Sequence, residues 1–375
     1  MSNTAMARAW VEIDLAALRA NYLALRRRVG TAVAVIPMVK ADAYGVGAAR
    51  VVRILEPLDP WGYGVATVEE GVLLRGLGVR RRIVVFTPLP PGSVAMAAAG
   101  RLTASLSDLA GLERWARAAA AHGPLDFHVE IDTGMGRAGF DWRQTGEWAP
   151  AVRDGMGAQL RWRGAFTHFQ GADAADPSPT ATQWQRFEDA VAQLPVSRED
   201  LLLHAANSAA ALRWPEYAAD AVRPGIFLYG GRAGDAAAGV PAPEPVVRVR
   251  SRLVLVRAVS PGSTVGYGAT HQSRGWERWG TVAIGYGDGL PRALSNRGEA
   301  LVRGHRVPLV GRISMDMTVV DITAVPDAEV GDVVTLIGAE GEEEITVDEV
   351  AAQAGTIAYE VLTGLTGRLP RVEPG

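Results

Sequence analysis

The chain has 375 residues, which is long for one domain and suits two. Charged residues make up 21% and the formal net charge is −3, so neither a nucleic-acid-binding protein nor a membrane-surface protein is indicated. The sequence has no cysteine, which excludes disulfides, thiolate catalysis and cysteine-ligated metals. Glu12 and Asp14 come early with no apolar segment before them, so no secretory signal is predicted, and we expect a cytoplasmic enzyme.

The first 230 or so residues alternate short apolar runs with helical patterns. The predicted strands are Val33–Val39, Gly62–Ala66, Ile83–Thr87, Leu102–Leu106, Phe127–Ile131, Arg163–His168, Leu201–His204 and Ala221–Ile226. Predicted helices between them include Asp14–Val29, Val68–Leu77, Leu109–Ala121 and Thr180–Leu194. Eight such β-then-α units predict a closed (β/α)₈ TIM barrel, with an open doubly wound parallel sheet as the alternative.

A second pattern begins after Gly234–Pro245, a stretch rich in Ala, Gly and Pro that reads as a domain boundary. Val246–Val259 alternates apolar with polar residues at period two, as an antiparallel strand does. Further strands are predicted at Thr281–Ile284, Ala300–Val302, Thr318–Asp321 and Val333–Ile337. The sequence therefore predicts an α/β barrel over residues 1–240 and a mostly-β domain over 241–375, with about the first 12 residues packing against the second domain.

Lys40 is the sole lysine among 38 basic side chains. GC-rich codon usage, which favours arginine over lysine wherever either serves, explains why lysine is scarce, but it does not explain why one lysine remains. Unlike arginine, lysine can lose its proton when its pKa is lowered, which a nucleophilic amine requires. Lys40 directly follows an apolar strand, where the C-terminal mouth of a barrel carries the active site. The alternative is a surface lysine next to a strand.

Two more candidates follow later strands. Arg137 lies in EIDTGMGRAG, whose glycines match the dinucleotide fingerprint by letters only, because the match falls in the fifth unit rather than the first. These glycines are better suited to bending a loop that aims Arg137 inward. His168 stands at the end of the sixth strand, where a functional role competes with an ordinary structural one.

The seventh and eighth strands lead into a predicted phosphate site. Asn207 and Ser208 cap a helix, and helix N-termini bind phosphate. Arg223, Gly225 and Ile226 follow the eighth strand, and loops at this place in such barrels frequently hold phosphate. The alternative is ordinary capping with a turn glycine. A lysine beside a phosphate site favours a phosphorylated aldehyde cofactor held as an imine.

The sequence resembles the bacterial alanine racemases in nine stretches that run in order along nearly the whole chain. They are VKADAYGVG (39–47), EIDTGMGRAGF (130–140), THF (167–169), HAANSAA (204–210), VRPGIFLYG (222–230), VGYGAT (265–270), IGYGDG (284–289), GRISMDM (311–317) and AYEVLTGLTGRLPR (358–371). The resemblance implies a pyridoxal 5'-phosphate (PLP) barrel, a C-terminal β domain and a homodimer with shared active sites. It also implies D-alanine supply for peptidoglycan.

The resemblance implies a role for each matching residue on the barrel. Lys40 resembles the lysine that binds PLP as a Schiff base. Arg223 resembles the arginine that faces the pyridine nitrogen, and Arg137 the residue that bonds the phenolic oxygen. His168 resembles the ring between Arg223 and the tyrosine base. The other residues that resemble the family's cofactor-binding set are Tyr44, Asn207, Ser208, Gly225, Ile226 and Tyr359.

The resemblance also implies that the second domain completes the site of the partner subunit. Tyr267 resembles the second base, which works on the face of Cα opposite Lys40. Met315 resembles the residue whose backbone binds the substrate carboxylate. The residues that resemble the family's active-site entrance and its surroundings are Tyr286, Tyr359, Asp173, Arg292, Arg312 and Asp316. A constricted pocket of this kind implies alanine as the substrate.

Position 130 departs from many family members, which carry a carbamylated lysine there that braces the arginine corresponding to Arg137. This chain has Glu130, and we hypothesise that its carboxylate supplies the same negative charge. The alternative is a solvated glutamate.

Several other functions stay open from the residues. They are a broader-specificity amino-acid racemase, a PLP-barrel decarboxylase of basic amino acids, a non-catalytic PLP-binding protein and a cofactor-free lysine aldolase. The decarboxylases usually carry a cysteine near the reacting carbon, and this chain has none.

Overall fold

Eight parallel strands form a barrel in the first two thirds of the chain, as seen in a computed structural model that describes residues 6–234 and 240–374. Each strand pairs with the next one in sequence, and the last pairs with the first. A parallel bridge between Met38 and Gly64 joins the first strand to the second and closes the ring. The strands are Ala34–Val35, Gly62–Val65, Arg82–Val85, Thr103–Leu106, Leu125–Asp132, Leu160–Phe166, Leu202–Asn207 and Ala221–Arg223.

The predicted (β/α)₈ barrel is confirmed, with one change in how its helices are supplied. Seven strands are each followed by a helix, whereas the eighth is followed only by the 3₁₀ turn Ile226–Tyr229. Leu15–Val29, which precedes the first strand, packs against this turn and fills the eighth helical place. The other helices are Ala48–Leu55, Val68–Gly76, Val94–Ala99, Leu109–His122, Thr145–Gly155, Ser178–Val191 and Ser208–Arg213.

Prolines shorten two of the predicted strands. The run predicted at Val33–Val39 pairs as a regular ladder only at Ala34–Val35, because Pro37 has no N–H to donate. Pro224 likewise follows the last residue of the eighth strand, Arg223. Backbone hydrogen bonds continue beyond the regular ladders, from the N–H of Met38 to the carbonyl oxygen of Pro224 and from the N–H of Val39 to that of Gly64, so both segments reach the barrel mouth.

The second unit is mostly β-structure, as predicted. Its central strand, Val247–Val259, pairs antiparallel with both Glu277–Val282 and Val333–Glu340. Two helices, Val347–Ala354 and Ala358–Gly364, follow near the end of the chain. The other strands are Thr264–Val265, His271–Gln272, Glu299–Val302, His305–Pro308, Thr318–Asp321, Glu343–Ile345 and Arg371–Val372.

The start of the chain belongs to the sheet of the second unit. Ala9–Ile13 pairs antiparallel with Val247–Val259, from Ala9 opposite Ser251 to Ile13 opposite Val247, and parallel with Arg371–Val372. The chain then enters the barrel through the helix that begins at Leu15. Residues 235–239 of the predicted boundary lie outside the described residues, and the division near residue 240 stays a prediction.

The helix Ala358–Gly364 returns to the barrel and packs against Lys40–Tyr44. Gly45, at φ +80°, lies so close to it that a Cβ there would be 2.7 Å from the carbonyl oxygen of Leu362. This close approach holds Tyr359 at the barrel mouth. Across residues 6–234 and 240–374, no helix has the length and hydrophobicity that a bilayer span requires.

Asp14 joins the two units, and replacing it tests that junction. Its side-chain oxygen accepts a hydrogen bond from the N–H of Ala17 and caps the helix Leu15–Val29. Asp14→Ala should lower the free energy of unfolding by about 1 kcal/mol, the usual value of an N-cap, whereas Asp14→Asn should keep most of it. Urea or thermal unfolding measures both. An equal loss in Asp14→Asn would assign the effect to the charge, which faces Arg248, rather than to the cap.

Candidate active site

The carboxyl ends of the barrel strands surround a cavity of about 650 Å³, which includes space open to solvent. Ten predicted site residues line it: Lys40, Tyr44, Glu130, Arg137, His168, Asn207, Ser208, Arg223, Gly225 and Tyr359. Ile226 follows Gly225 and is fully buried. The cavity is also lined by three residues that the sequence did not single out, namely Met38, Phe86 and Phe166.

The segment after Lys40 has an unusual backbone. Ala41, Asp42, Ala43 and Tyr44 all have φ between +50° and +57°, the left-handed region that residues with a Cβ rarely adopt. Side chains hold the turn: Glu70 accepts from the N–H of Ala41 at 2.6 Å, and Asp42 accepts from the N–H of Ala48 at 2.7 Å. Strain of this kind persists where the surrounding structure fixes it, often at functional sites.

This turn places Lys40 and Tyr44 on the cavity wall. Tyr44 is buried and stacks on Tyr229 with ring centroids 4.6 Å apart. The amine of Lys40 stays reachable from the cavity, while burial of the group and the nearby charges of Arg137 and Arg223 lower its pKa. A larger share of Lys40 is therefore a neutral nucleophile near neutral pH than for a lysine in water.

Arg223 is a buried cation held by oxygen and nitrogen acceptors. Its Nη1 donates to the carbonyl oxygen of His204 at 2.7 Å and lies 2.8 Å from that ring's Nδ1. Its Nη2 donates to the carbonyl oxygens of Thr167 and Ala205 at 2.8 and 3.0 Å and lies 3.2 Å from Nδ1 of His168. Nε makes no hydrogen bond to any residue of the described ranges, so one N–H remains for a ligand.

Electrostatics keep Arg223 charged and His168 neutral. Burial lowers the pKa of Arg223 to about 9, partly opposed by Glu130, and the group stays protonated at neutral pH. Burial, then the charge of Arg223, lowers the pKa of His168 to about 3. Because a guanidinium only donates, Nδ1 of His168 is the acceptor and the ring hydrogen sits on Nε2. His168 can therefore donate a hydrogen bond toward a group in the cavity.

Hydroxyls and backbone amides converge at one end of the cavity. The hydroxyl of Ser208 accepts from the N–H of Gly225 at 2.8 Å, and Asn207 caps the short helix through the N–H of Ala210. A Cβ on Gly225 would lie 2.2 Å from the Tyr44 hydroxyl, so only glycine fits there. Burial raises the pKa of Tyr44, and raises that of Tyr359 to about 12, so both phenols keep their hydrogens. The group suits an anion with several oxygens.

Glu130 is only 4% exposed and accepts a hydrogen bond from the hydroxyl of Ser107 at 3.1 Å. Burial raises its pKa, while the Ser107 bond and the charges of Arg137 and Arg223 lower it. Arg137 is exposed, and the two side chains interact through charge without a hydrogen bond between them in the described residues. The alternative of a fully solvated glutamate does not agree with this burial.

The remaining predicted residues do not line this cavity. Asp173 is exposed in the loop after the sixth strand, and its charge raises the pKa of Tyr359. On the second unit, Tyr267 is 67% exposed and Met315 is 52% exposed. The others on that unit are also exposed: Tyr286, Arg292, Arg312 and Asp316.

Most of these exposed residues belong to connected loops of the second unit. The N–H of Tyr286 donates to the carbonyl oxygen of Ser314 at 3.0 Å, and that of Gly287 donates to Met315 at 2.8 Å. Arg312 packs closely against the turn that carries Tyr267, since a Cβ at Gly266 would lie 3.1 Å from the backbone nitrogen of Arg312 and one at Gly268 would lie 2.9 Å from its guanidinium. One braced surface of the second unit thus presents Tyr267, Tyr286 and Met315 together.

Sequence reasoning missed the residues that surround Arg223. Phe86 and Phe166 place their rings 5.5 and 5.3 Å from its guanidinium carbon, and His204 bonds it directly. Each of the three lies within the last three residues of a predicted strand, which was the available signal. Their apolar or isolated character made an ordinary core role the simpler interpretation.

The lowered pKa of Lys40 predicts its reactivity. As the sole lysine, it should react with an amine-directed reagent with a half-maximal rate below pH 10.5, the usual lysine pKa. Arg137→Gln removes a positive charge that lowers this pKa, so the profile should move to higher pH. Mass spectrometry of the Lys40 peptide across pH measures the rate. A profile that does not move would show that the charge of Arg137 has no effect on the amine.

Comparisons with known proteins agree with the geometry along the whole chain. Residues 13–233 match the family model described as alanine racemase, N-terminal domain, and residues 246–373 match alanine racemase, C-terminal domain. The alanine racemase of Desulfosudis oleivorans is 38% identical over 97% of this chain and 96% of its own. That of Nostoc sp. is 36% identical over 97% and 95%.

Solved structures agree as well. The alanine racemase from E. faecalis superposes with a TM-score of 0.89 at 32% identity, covering 98% of both chains. The alanine racemase from Bartonella henselae with covalently bound pyridoxal phosphate gives 0.88 at 29% identity, covering 98% of this chain and all of its own. Both domains, their order and the fold therefore match one family: this chain is a member of the alanine racemases.

Proposed function

We propose that this protein interconverts L-alanine and D-alanine with PLP as its cofactor. The observation that carries the proposal is the cavity itself. It joins one amine of lowered pKa, Lys40, to one buried cation with a free N–H, Arg223, and to a cluster of hydroxyl and amide groups suited to phosphate. These are the three groups that a phosphorylated pyridine aldehyde requires of a protein.

The donor set fits PLP in each part. Nζ of Lys40 would bond the aldehyde carbon covalently. The hydroxyls of Tyr44 and Ser208, with the backbone of Gly225 and Ile226, would hold the phosphate. Nε of Arg223 would donate to the ring nitrogen. When bound, the cofactor supplies a ring that accepts the electron pair left when the Cα–H bond of alanine breaks.

Arg223 sets the electronic limit of that ring. Because its guanidinium stays protonated at neutral pH, Arg223 would only donate a hydrogen bond to a pyridine nitrogen and would leave that nitrogen unprotonated. Arg223 would thereby weaken the ring as an electron sink and disfavour side reactions such as transamination. Arg137, whose exposed guanidinium lines the cavity, would bond the phenolic oxygen.

Racemisation needs a proton to leave one face of Cα and another to arrive on the opposite face. Nζ of Lys40 would serve one face and the phenol oxygen of the partner's Tyr267 the other. A phenol ordinarily has a pKa of about 10, so the base needs help to hold a negative charge. His168, whose Nε2–H is turned outward by Arg223, can donate to that oxygen and stabilise it.

We also propose a homodimer, which places Tyr267 and Met315 in the cavity of a second copy. The exposed apolar residues of the second unit support it, since Tyr267, Tyr286, Met315 and Met317 stand 40% to 67% exposed on one braced surface. Met315 would bind the substrate carboxylate through its backbone, and Tyr286 and Tyr359 would narrow the entrance to favour a methyl side chain. Asp173, Arg292, Arg312 and Asp316 would line the approach.

We place the protein in the cytoplasm, supported by a sequence without cysteine.

A heterodimer tests the shared site. Lys40→Ala and Tyr267→Ala subunits carrying different tags are co-expressed, and the mixed dimer is isolated. It holds one cavity with both Lys40 and the partner's Tyr267, so it should form D-alanine at about half the wild-type rate, while each parent is inactive. Optical rotation follows alanine, with serine, lysine and arginine assayed beside it as substrates expected to react poorly.

The matched control pairs Lys40→Ala with the double variant Lys40→Ala/Tyr267→Ala, which has no intact cavity. A mixed dimer as inactive as this control would show that both bases come from one chain. Fast turnover of lysine or arginine by the wild-type protein would overturn alanine as the preferred substrate.

Glu130→Gln tests whether this carboxylate braces Arg137. The substitution keeps the shape and removes a buried charge, so kcat or PLP retention should fall on the order of tenfold, as for loss of one interaction with a charged group. Ser107→Ala is the control, because it removes the hydrogen bond to Glu130 and keeps the charge. Kinetics and cofactor content that match the wild type would end the hypothesis.

A further inference from the structure

Two histidine rings extend inward from Arg223 through the barrel. Nδ1 of His204 lies 2.8 Å from Nη1 of Arg223, and Nε2 of His204 lies 2.8 Å from Nδ1 of His128. Both rings are 0% exposed. They reach each other across the intervening strand at Gly164, where a Cβ would lie 2.7 Å from Nδ1 of His128. Only glycine at this position leaves room for the pair.

The arginine fixes the direction of every hydrogen bond in this row. A guanidinium only donates, so Nδ1 of His204 accepts. Burial, then the charge of Arg223, lowers the pKa of His204 well below its usual value, and burial lowers that of His128 to about 3. Both rings are therefore neutral and carry one hydrogen each. His204 must hold its hydrogen on Nε2 and donate it to Nδ1 of His128.

The pair costs stability as well as supplying contacts. The hydrogen of His128 is left on its own Nε2, which is buried and has no acceptor in the described part of the chain. An unpaired buried donor carries a desolvation penalty that an apolar side chain would avoid. His128 thus destabilises the barrel core locally, which calls for a reason other than packing.

His128, the deeper of the two rings, acts on a property of His204 that packing alone does not fix, namely which ring nitrogen carries the hydrogen. His204 stacks on Phe166 with ring centroids 4.9 Å apart, which holds the plane of its ring. Stacking does not choose which nitrogen carries the hydrogen. With Nδ1 protonated, His204 would present an N–H to the N–H of Arg223. The acceptor at His128 acts together with the donor at Arg223 to favour the opposite tautomer.

We propose that His128 is a positioning residue that acts through His204: by accepting the hydrogen of Nε2, it keeps a bare Nδ1 against Arg223 and so keeps Nε of Arg223 aimed into the cavity. The inference rests on the proposed function, because the aim of Nε matters only if a cofactor nitrogen faces it. If Nε of Arg223 moved away from the cavity, it would lose its hydrogen bond to the pyridine nitrogen, and Arg223 would no longer weaken the cofactor ring as an electron sink.

The chemical consequence is a change in how turnovers end. In transamination, Cα of alanine loses two electrons and becomes the keto carbon of pyruvate, while the aldehyde carbon of PLP gains them and becomes the amine carbon of pyridoxamine phosphate. The amino group moves from alanine to the cofactor, and a water molecule that hydrolyses the C=N bond at Cα supplies the keto oxygen of pyruvate. Loss of the His128 acceptor should raise pyruvate formed per racemisation event.

His128→Leu and His128→Asn form a matched pair of nearly equal size. The amide oxygen of asparagine reaches about the place of Nδ1 and can accept from His204, whereas leucine cannot. In His128→Leu, the pyruvate-to-racemisation ratio should rise about tenfold and PLP should bind the apoprotein several-fold more weakly, the factors that one ordinary hydrogen bond carries. His128→Asn should stay within about twofold of the wild type.

A merely structural role would lower racemisation and transamination together and leave their ratio unchanged, which would overturn the proposal. The ¹⁵N shifts of histidine-labelled protein give a second test, which measures the tautomer in the wild-type protein itself. They should show a bare Nδ1 and a protonated Nε2 for His204 in both apo and PLP-loaded protein, with His204 assigned by its loss in His204→Asn. The opposite tautomer would overturn the proposal. A wild-type protein that neither binds PLP nor racemises alanine would instead refute the proposed function, and the tautomer result would stand apart from it.

Discussion

The site depends on one buried cation that, within residues 6–234 and 240–374, has no hydrogen-bonded carboxylate. Arg223 is 4% exposed, and its hydrogen bonds go to backbone carbonyls and imidazole nitrogens at the ends of neighbouring strands. Burying a charge is costly unless its donors are satisfied, and here the barrel geometry satisfies them by bringing carbonyl groups of several strands to one point. Glu130, buried nearby, offsets part of the charge from a distance. The buried charge of Arg223 therefore depends on the barrel, and Arg223 in turn positions the groups around the cavity.

The same charge sets the protonation of its neighbours. It lowers the pKa of Lys40, His128, His168 and His204, in each case together with burial. Neutral imidazoles can accept from the guanidinium on one nitrogen and donate from the other, which a second cation could not do. Arg223 thus adds to the effects of burial and Arg137 on the amine of Lys40, and it gives three rings a defined hydrogen-bond direction. Lysine at position 223 would offer fewer donors in no fixed plane.

The sequence predicted what depends on local patterns. Alternating strands and helices indicated the barrel, and residues just past strand ends, Lys40 and Arg223 among them, lie in its cavity. Two features depend on distant contacts and left no local signal. These are the left-handed turn at Ala41–Tyr44 and the contact between His128 and His204. A histidine in an apolar strand gives no indication of which ring it faces across a barrel.

Two contacts between the units keep Tyr267 outside the cavity that contains Lys40 of the same chain. Ala9–Ile13 fastens the start of the chain into the second sheet, and Ala358–Gly364 packs back on the turn after Lys40. These two contacts hold Tyr359 over the cavity of its own chain. They also leave the surface with Tyr267 and Met315 exposed and outside that cavity. An acid–base pair on opposite faces of one carbon cannot come from Lys40 and Tyr267 of the same chain while both contacts hold. In the proposed function, the Tyr267 that serves the other face would therefore come from a second copy.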